Sequence, residues 1–161
     1  MELMRRLHNK LLCVIQGLVM KSSFVLISLM FLLGCASVPK SVDELRTAGK
    51  AKSSFCSNKS FNETVEIIER QLKNCFAHGK QDVYGGTSDT FIEKSQADSN
   101  LVTLASVAHV NWNRFYQTIV DVSSQRACPV FVEAYGMSSH WSKTTDLVQD
   151  WVKGNNLDKC D

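Results

Sequence analysis

Three hydrophobic patterns succeed one another along the chain, and each predicts a different element. The first is an almost wholly apolar run over residues 24–33, preceded by Lys21-Ser22-Ser23 and followed by Gly34-Cys35. A stable membrane-spanning helix takes about 20 apolar residues, so this run is too short to span. A positive charge, a short apolar run and a small residue before a cut site have the form of a secretory signal. The second pattern is helical. Phe61, Val65, Ile68, Leu72 and Phe76 fall at spacings of four, three, four and four and form one stripe. Ser60 and Glu63 have the form of a capping box, with Glu66 adding negative charge to the first turn. Glu66/Arg70 and Glu69/Lys73 make outer-face pairs four residues apart, and Gly79 suits the position past the end.

The third pattern is the alternation of strands. Residues 90–96 and 101–109 are β-like and separated by the turn-forming group Ala97-Asp98-Ser99-Asn100. Over 114–124, Tyr116, Thr118, Val120 and Val122 are expected on one face. Over 128–135, Val130, Val132 and Ala134 alternate with Phe131, Glu133 and Tyr135. Pro129 has no N–H to give a ladder and favours a strand start or an edge. A short strand is expected over 53–57, a loop over 81–88, and a final helix over 139–153 closed by Gly154. The order β-α-β-β-β-α predicts an α+β two-layer domain over 54–161, an antiparallel sheet with two helices on one face. Residues 36–53 are polar, with one Pro and one Gly, and read as a flexible tether with room for a short helix at 42–47.

Leu32-Leu33-Gly34-Cys35, directly after the apolar run, resembles the lipobox of bacterial lipoproteins. In that family a diacylglycerol is attached to the cysteine thiol, the chain is cut before it, and the new amine is usually acylated. The resemblance implies signal cleavage between Gly34 and Cys35, with Cys35 as the lipidated N-terminus. Thiolate sulfur is a good nucleophile, which is the chemical reason for a cysteine there. Two or three acyl chains exceed what stable anchoring needs. Ala36 replaces the Asp that commonly holds such proteins in the inner membrane, so the resemblance implies delivery to the outer membrane. An uncleaved membrane helix over 11–33 is the competing reading, and Lys21, Ser22 and Ser23 interrupt it. Met20 alone starts a complete signal, so residues 1–19 are either an upstream start or a long n-region.

The leader also distorts the charge. The whole chain has 18 basic and 16 acidic side chains and a net charge of +2. Residues 1–34 hold four of the bases (Arg5, Arg6, Lys10, Lys21) and one acid (Glu2), so residues 35–161 hold 14 and 15, a net of −1. A chain near neutrality with no Lys/Arg run lacks the electrostatic footprint of a nucleic-acid binder.

Cys13 lies in the leader, which leaves Cys56, Cys75, Cys128 and Cys160 beyond Cys35. An even number in an exported chain implies two disulfides, with three pairings open. If the first strand lies beside the last, Cys56 and Cys128 become neighbours. Cys75 and Cys160 then sit at and beyond two helix ends, which places 56–128 with 75–160 ahead of 56–75 with 128–160. Asn74-Cys75-Phe76 closing a helix, and Trp151-Val-Lys-Gly154 leading to Cys160, resemble a group of small, uncharacterised outer-membrane lipoproteins of proteobacteria. The pair Cys56/Cys128 departs from that group's two-cysteine form. The element order is also similar to the helix-grip domains of a β-barrel assembly lipoprotein, a likeness of fold that carries no function.

Catalytic patterns are thin. His78, His109 and His140 have no partner at helical spacing and no Cys-x-x-Cys nearby, so no metal site is expected. Gly136-Met-Ser-Ser-His140 lacks the second glycine of a nucleophile elbow, which leaves Ser138 or Ser139 with His140 as a weak hydrolase candidate. Tyr84-Gly85-Gly86-Thr87 lacks the Lys-Ser/Thr of a phosphate loop. Trp141 and Trp151 suit a helix core, whereas Trp112, in Val-Asn-Trp-Asn-Arg, is expected at a hairpin tip where it could touch a partner, a glycan or a bilayer. These residues predict a non-enzymatic, periplasm-facing interaction or structural module with no cofactor beyond its lipid. A carrier or sensor of a small apolar ligand is the first alternative, and an envelope hydrolase the second.

Overall fold

The computed structural model describes residues 38–83, 85–124 and 128–160. Cys13, the apolar run, the lipobox through Cys35, and Tyr84 lie outside the described residues. From Val38 onward the elements are α1 (Val42–Ala48), β1 (Ala51–Ser57), α2 (Phe61–Phe76), β2 (Gly79–Val83), β3 (Gly86–Asp98), β4 (Leu101–Val110), β5 (Asn113–Ser123) and β6 (Val130–Gly136). A 3₁₀ turn (Ser139–Trp141) then leads into α3 (Ser142–Lys153). The strands form one antiparallel sheet in the order β1-β6-β5-β4-β3-β2, so the domain is α+β.

The strongly periodic elements fall where the pattern predicts. The apolar stripe of α2 buries Val65, Ile68 and Leu72, and Ser60 Oγ accepts from the Glu63 N–H at 3.3 Å. Glu69 takes Lys73 at 2.6 Å and Lys94 of β3 at 2.8 Å, while Glu66 and Arg70 form no ion pair with each other. Gly154 caps α3 at φ +84°, its N–H and that of Asn155 closing the last turn onto Trp151 and Asp150. Helices α2 and α3 pack on one sheet face, over Phe55, Val102, Leu104, Val120, Val122, Val132 and Ala134. Trp151 is fully buried in that core.

Several expectations are corrected. The stretch read as a tether is folded from Val38. Helix α1 lies on the opposite sheet face, where Leu45 is fully buried among Ala105, Val107, Tyr116, Ile119 and Tyr135. One leucine per two helical turns is too sparse to register as a stripe, yet it docks the helix. β1 begins at Ala51 and pairs with β6 over its whole length. Helices therefore cover both faces, which buries seven consecutive residues of β4 from Val102 to Ala108 and erases alternation there.

The expected loop over 81–88 is mostly strand: residues 81–83 belong to β2, an edge strand whose five residues are all exposed, and residues 86–88 open β3. The polar side chains of β2 give no burial period, and backbone pairing to β3 makes it. Gly79, placed by the pattern at the helix end, opens this strand at φ +65°, while Ala77 caps α2. Finally, Tyr116 does not share a face with Thr118, Val120 and Val122. Ser106 pairs with Thr118 but Val107 pairs with Tyr116, so Gln117 is an extra residue in β5. The bulge turns Tyr116 to the α1 face.

Candidate functional site

Both inferred disulfides are present in the favoured pairing, Cys56–Cys128 with Cα atoms 5.9 Å apart and Cys75–Cys160 at 5.2 Å. The first joins β1 to the segment entering β6, and the second ties the end of α2 to the tail after α3. Beside the second bridge, the Lys159 carbonyl accepts from Trp151 Nε1 at 3.2 Å and fixes the tail to the core.

Among the described residues, exposed or polar groups gather at two places on the sheet, apart from those along the outer face of α2. One is the hairpin end of the sheet. The β4–β5 turn is Asn111-Trp112, with Asn111 at φ +56°, a conformation asparagine tolerates. Asn111 also binds the adjoining β2–β3 tip. Its N–H donates to Thr87 O at 2.9 Å, its Oδ1 accepts from the Thr87 N–H at 3.2 Å, and its Nδ2 reaches Gly85 O at 3.5 Å. Two hairpin tips thus form one ledge. Trp112 stands on it at 101% relative exposure, with Val83 also exposed on the neighbouring tip. Arg114, the second residue of β5, is engaged by Glu93 and by Tyr116 Oη.

The other place is a cleft of 290 Å³ on the α1 face, lined by Arg46, Asp98, Asn100, Leu101, Asp121, Ser123, Glu133 and Tyr135. Asp121 and Glu133 oppose each other in register across β5 and β6, and each carries a cation. Arg46 donates to Asp121 through Nε at 2.8 Å and Nη2 at 2.9 Å, and Thr103 Oγ1 donates to it at 2.6 Å. Asp121 in turn holds the guanidinium well above its ordinary range. Lys52 lies 3.3 Å from Glu133 and over the Tyr135 ring, and Tyr135 followed by Glu133 raises its amine. Two carboxylates already matched by cations form a polar brace holding α1 and β1 to the sheet.

The remaining candidates lie apart. Ser138 and Ser139 start the 3₁₀ turn, and the exposed His140 presents its ring edge to Trp141 at 6.4 Å. Trp141 is half-buried, packed on Phe76 at 5.4 Å and against Gly136. His78 is exposed at the end of α2, its N–H on Thr90 Oγ1. His109 meets Phe91 edge-on at 5.1 Å and leaves its Nε2 buried without a hydrogen bond. Among the described residues no three His, Cys, Asp or Glu side chains are grouped to hold a metal ion. No described helix is long and apolar enough to cross a membrane. Between the helices and the sheet, Ile68, Leu72, Leu104, Val120, Val132, Val148 and Trp151 fill the space and are all fully buried.

Sequence patterns single out Trp112 but not its companions. Asn111 and Val83 have no periodic signature, and the only local hint of the ledge is the turn chemistry of Gly85-Gly86 and Asn111. The Arg46–Asp121 brace joins residues 75 apart and has no local signal. No protein-family model matches the chain, and no curated protein matches it.

Proposed function

We propose that the chain is a lipoprotein of the bacterial outer membrane, cut before Cys35 and anchored by acyl chains on it. Its domain serves in the periplasm as a non-enzymatic interaction module. The observation that carries this reading is Leu32-Leu33-Gly34-Cys35, directly after an apolar run too short to span a bilayer. Two disulfides in the domain beyond it fit export to an oxidising compartment. Of the three carboxylates lining the polar cleft, Asp121 and Glu133 are held in ion pairs with Arg46 and Lys52, which favours a structural over a catalytic part for those two. A carrier of small apolar ligands is the weaker reading, because side chains fill the space between sheet and helices.

The test is intact-mass analysis of the membrane-extracted protein with metabolic palmitate labelling. A mass beginning at Cys35 with two or three acyl chains supports the proposal, and Cys35→Ser should abolish labelling and release the domain from the membrane fraction. An unmodified Cys35, or a Cys35→Ser variant that fractionates unchanged, overturns it.

A further inference from the structure

We infer that the hairpin ledge carrying Trp112 and Val83 rests in the headgroup layer of the membrane to which the chain is anchored, so that the lipid bilayer is its partner. This rests on acylation of Cys35. Only Ala36 and Ser37 separate that cysteine from Val38, the first described residue, and three residues reach at most about 11 Å. An anchor that short keeps the entry point of the domain at the membrane surface, where a long tether would have freed it.

The entry point is itself tied to the ledge strand. Pro39 is buried, and its carbonyl accepts from the Tyr116 N–H at 3.0 Å. Tyr116 lies on β5 four residues from Trp112, about 14 Å along a strand. Trp112 is therefore close enough to the anchor to meet the same surface.

The side chains fit that partner. The large exposed apolar side chains among the described residues are Val38, Val83, Trp112 and Leu157. Val38 sits at the entry point, and Val83 and Trp112 crown the two tips joined by Asn111. A fully exposed tryptophan loses apolar hydration by entering the interface while its indole N–H stays hydrogen-bonded to headgroups or water, which is why tryptophan collects there. The ledge is braced by backbone pairing and Asn111, so presenting Trp112 requires no rearrangement.

The experiment uses the full acylated protein in vesicles of phosphatidylethanolamine and phosphatidylglycerol, its lipidation first verified by intact mass. Nitroxide lipids labelled either near the headgroup or deep in the acyl chains then quench tryptophan emission. Trp151 is buried and Trp141 half-buried, so quenching reports chiefly on Trp112. The inference expects quenching by the shallow label well above that by the deep one, and loss of the shallow component in Trp112→Phe. Equal quenching in Trp112→Phe, or protection of Trp112 only when another envelope protein or a glycan is added, overturns it. With acylated Cys35, such a failure leaves the lipoprotein proposal standing; an unacylated Cys35 sinks that proposal separately.

Discussion

Arg46 of α1 and Asp121 of β5, 75 residues apart, are held together through two guanidinium nitrogens at 2.8 and 2.9 Å, and the same carboxylate also accepts from Thr103. Asp121 faces Glu133 on the neighbouring strand, so the guanidinium neutralises one of two opposed carboxylates. Arg46→Met should keep the aliphatic stem and remove the charge-assisted bonds, at a cost of about 2 kcal/mol. A lower urea midpoint, with new proteolytic cleavage near α1, is the expected result. An unchanged midpoint would mean that α1 contributes nothing through this pair.

Cys56–Cys128 closes 72 residues and Cys75–Cys160 closes 85. Removing either bridge as a paired Cys→Ser variant should cost about 2–4 kcal/mol, mainly by freeing the unfolded chain. Denaturation with and without reductant measures both, and a non-reducing peptide map that recovers a 56–75 linkage would contradict the pairing.

Gly136 ends β6 against the 3₁₀ turn. A Cβ there would stand 2.5 Å from Trp141 Cβ and 3.2 Å from Ala51 Cβ, with backbone on either side unable to withdraw freely. Gly136→Ala should therefore destabilise by about 1–3 kcal/mol. Thermal melting reads the loss, and near-ultraviolet dichroism should show the Trp141 environment altered.

Glu69 is kept below its ordinary value near 4.5 by Lys73 first and Lys94 second. A lowered carboxylate stabilises the fold fully above the unfolded value and loses that contribution as pH falls through the folded one. Stability of the parent should thus decline on acidification below about pH 4.5, and Glu69→Gln should flatten that part of the curve. Urea midpoints across this range decide it. Identical acid limbs would show that the two lysines give Glu69 no net stabilisation.

Local pattern alone determined helix α2 with its Ser60 cap, the Gly154 stop, the principal strands β3 to β6 and the even set of four cysteines. In each, the burial period, cap or turn chemistry is written within a few residues, and a helix or a half-buried strand has no other way to cover its apolar face. The short apolar run and Leu32-Leu33-Gly34-Cys35 are equally local, and the expectation of a lipid anchor depends on them alone. Tertiary structure decided the rest. Leu45 folds the supposed tether only because Ala105, Val107 and Ile119 offer it a second sheet face. β2 exists through backbone pairing that its polar side chains do not announce, and Gln117 shifts the register of Tyr116 without a glycine to mark the bulge. Ladder hydrogen bonds and long-range docking are properties of chain segments brought together, and a one-dimensional hydrophobic pattern records only the side chains that such contacts bury periodically.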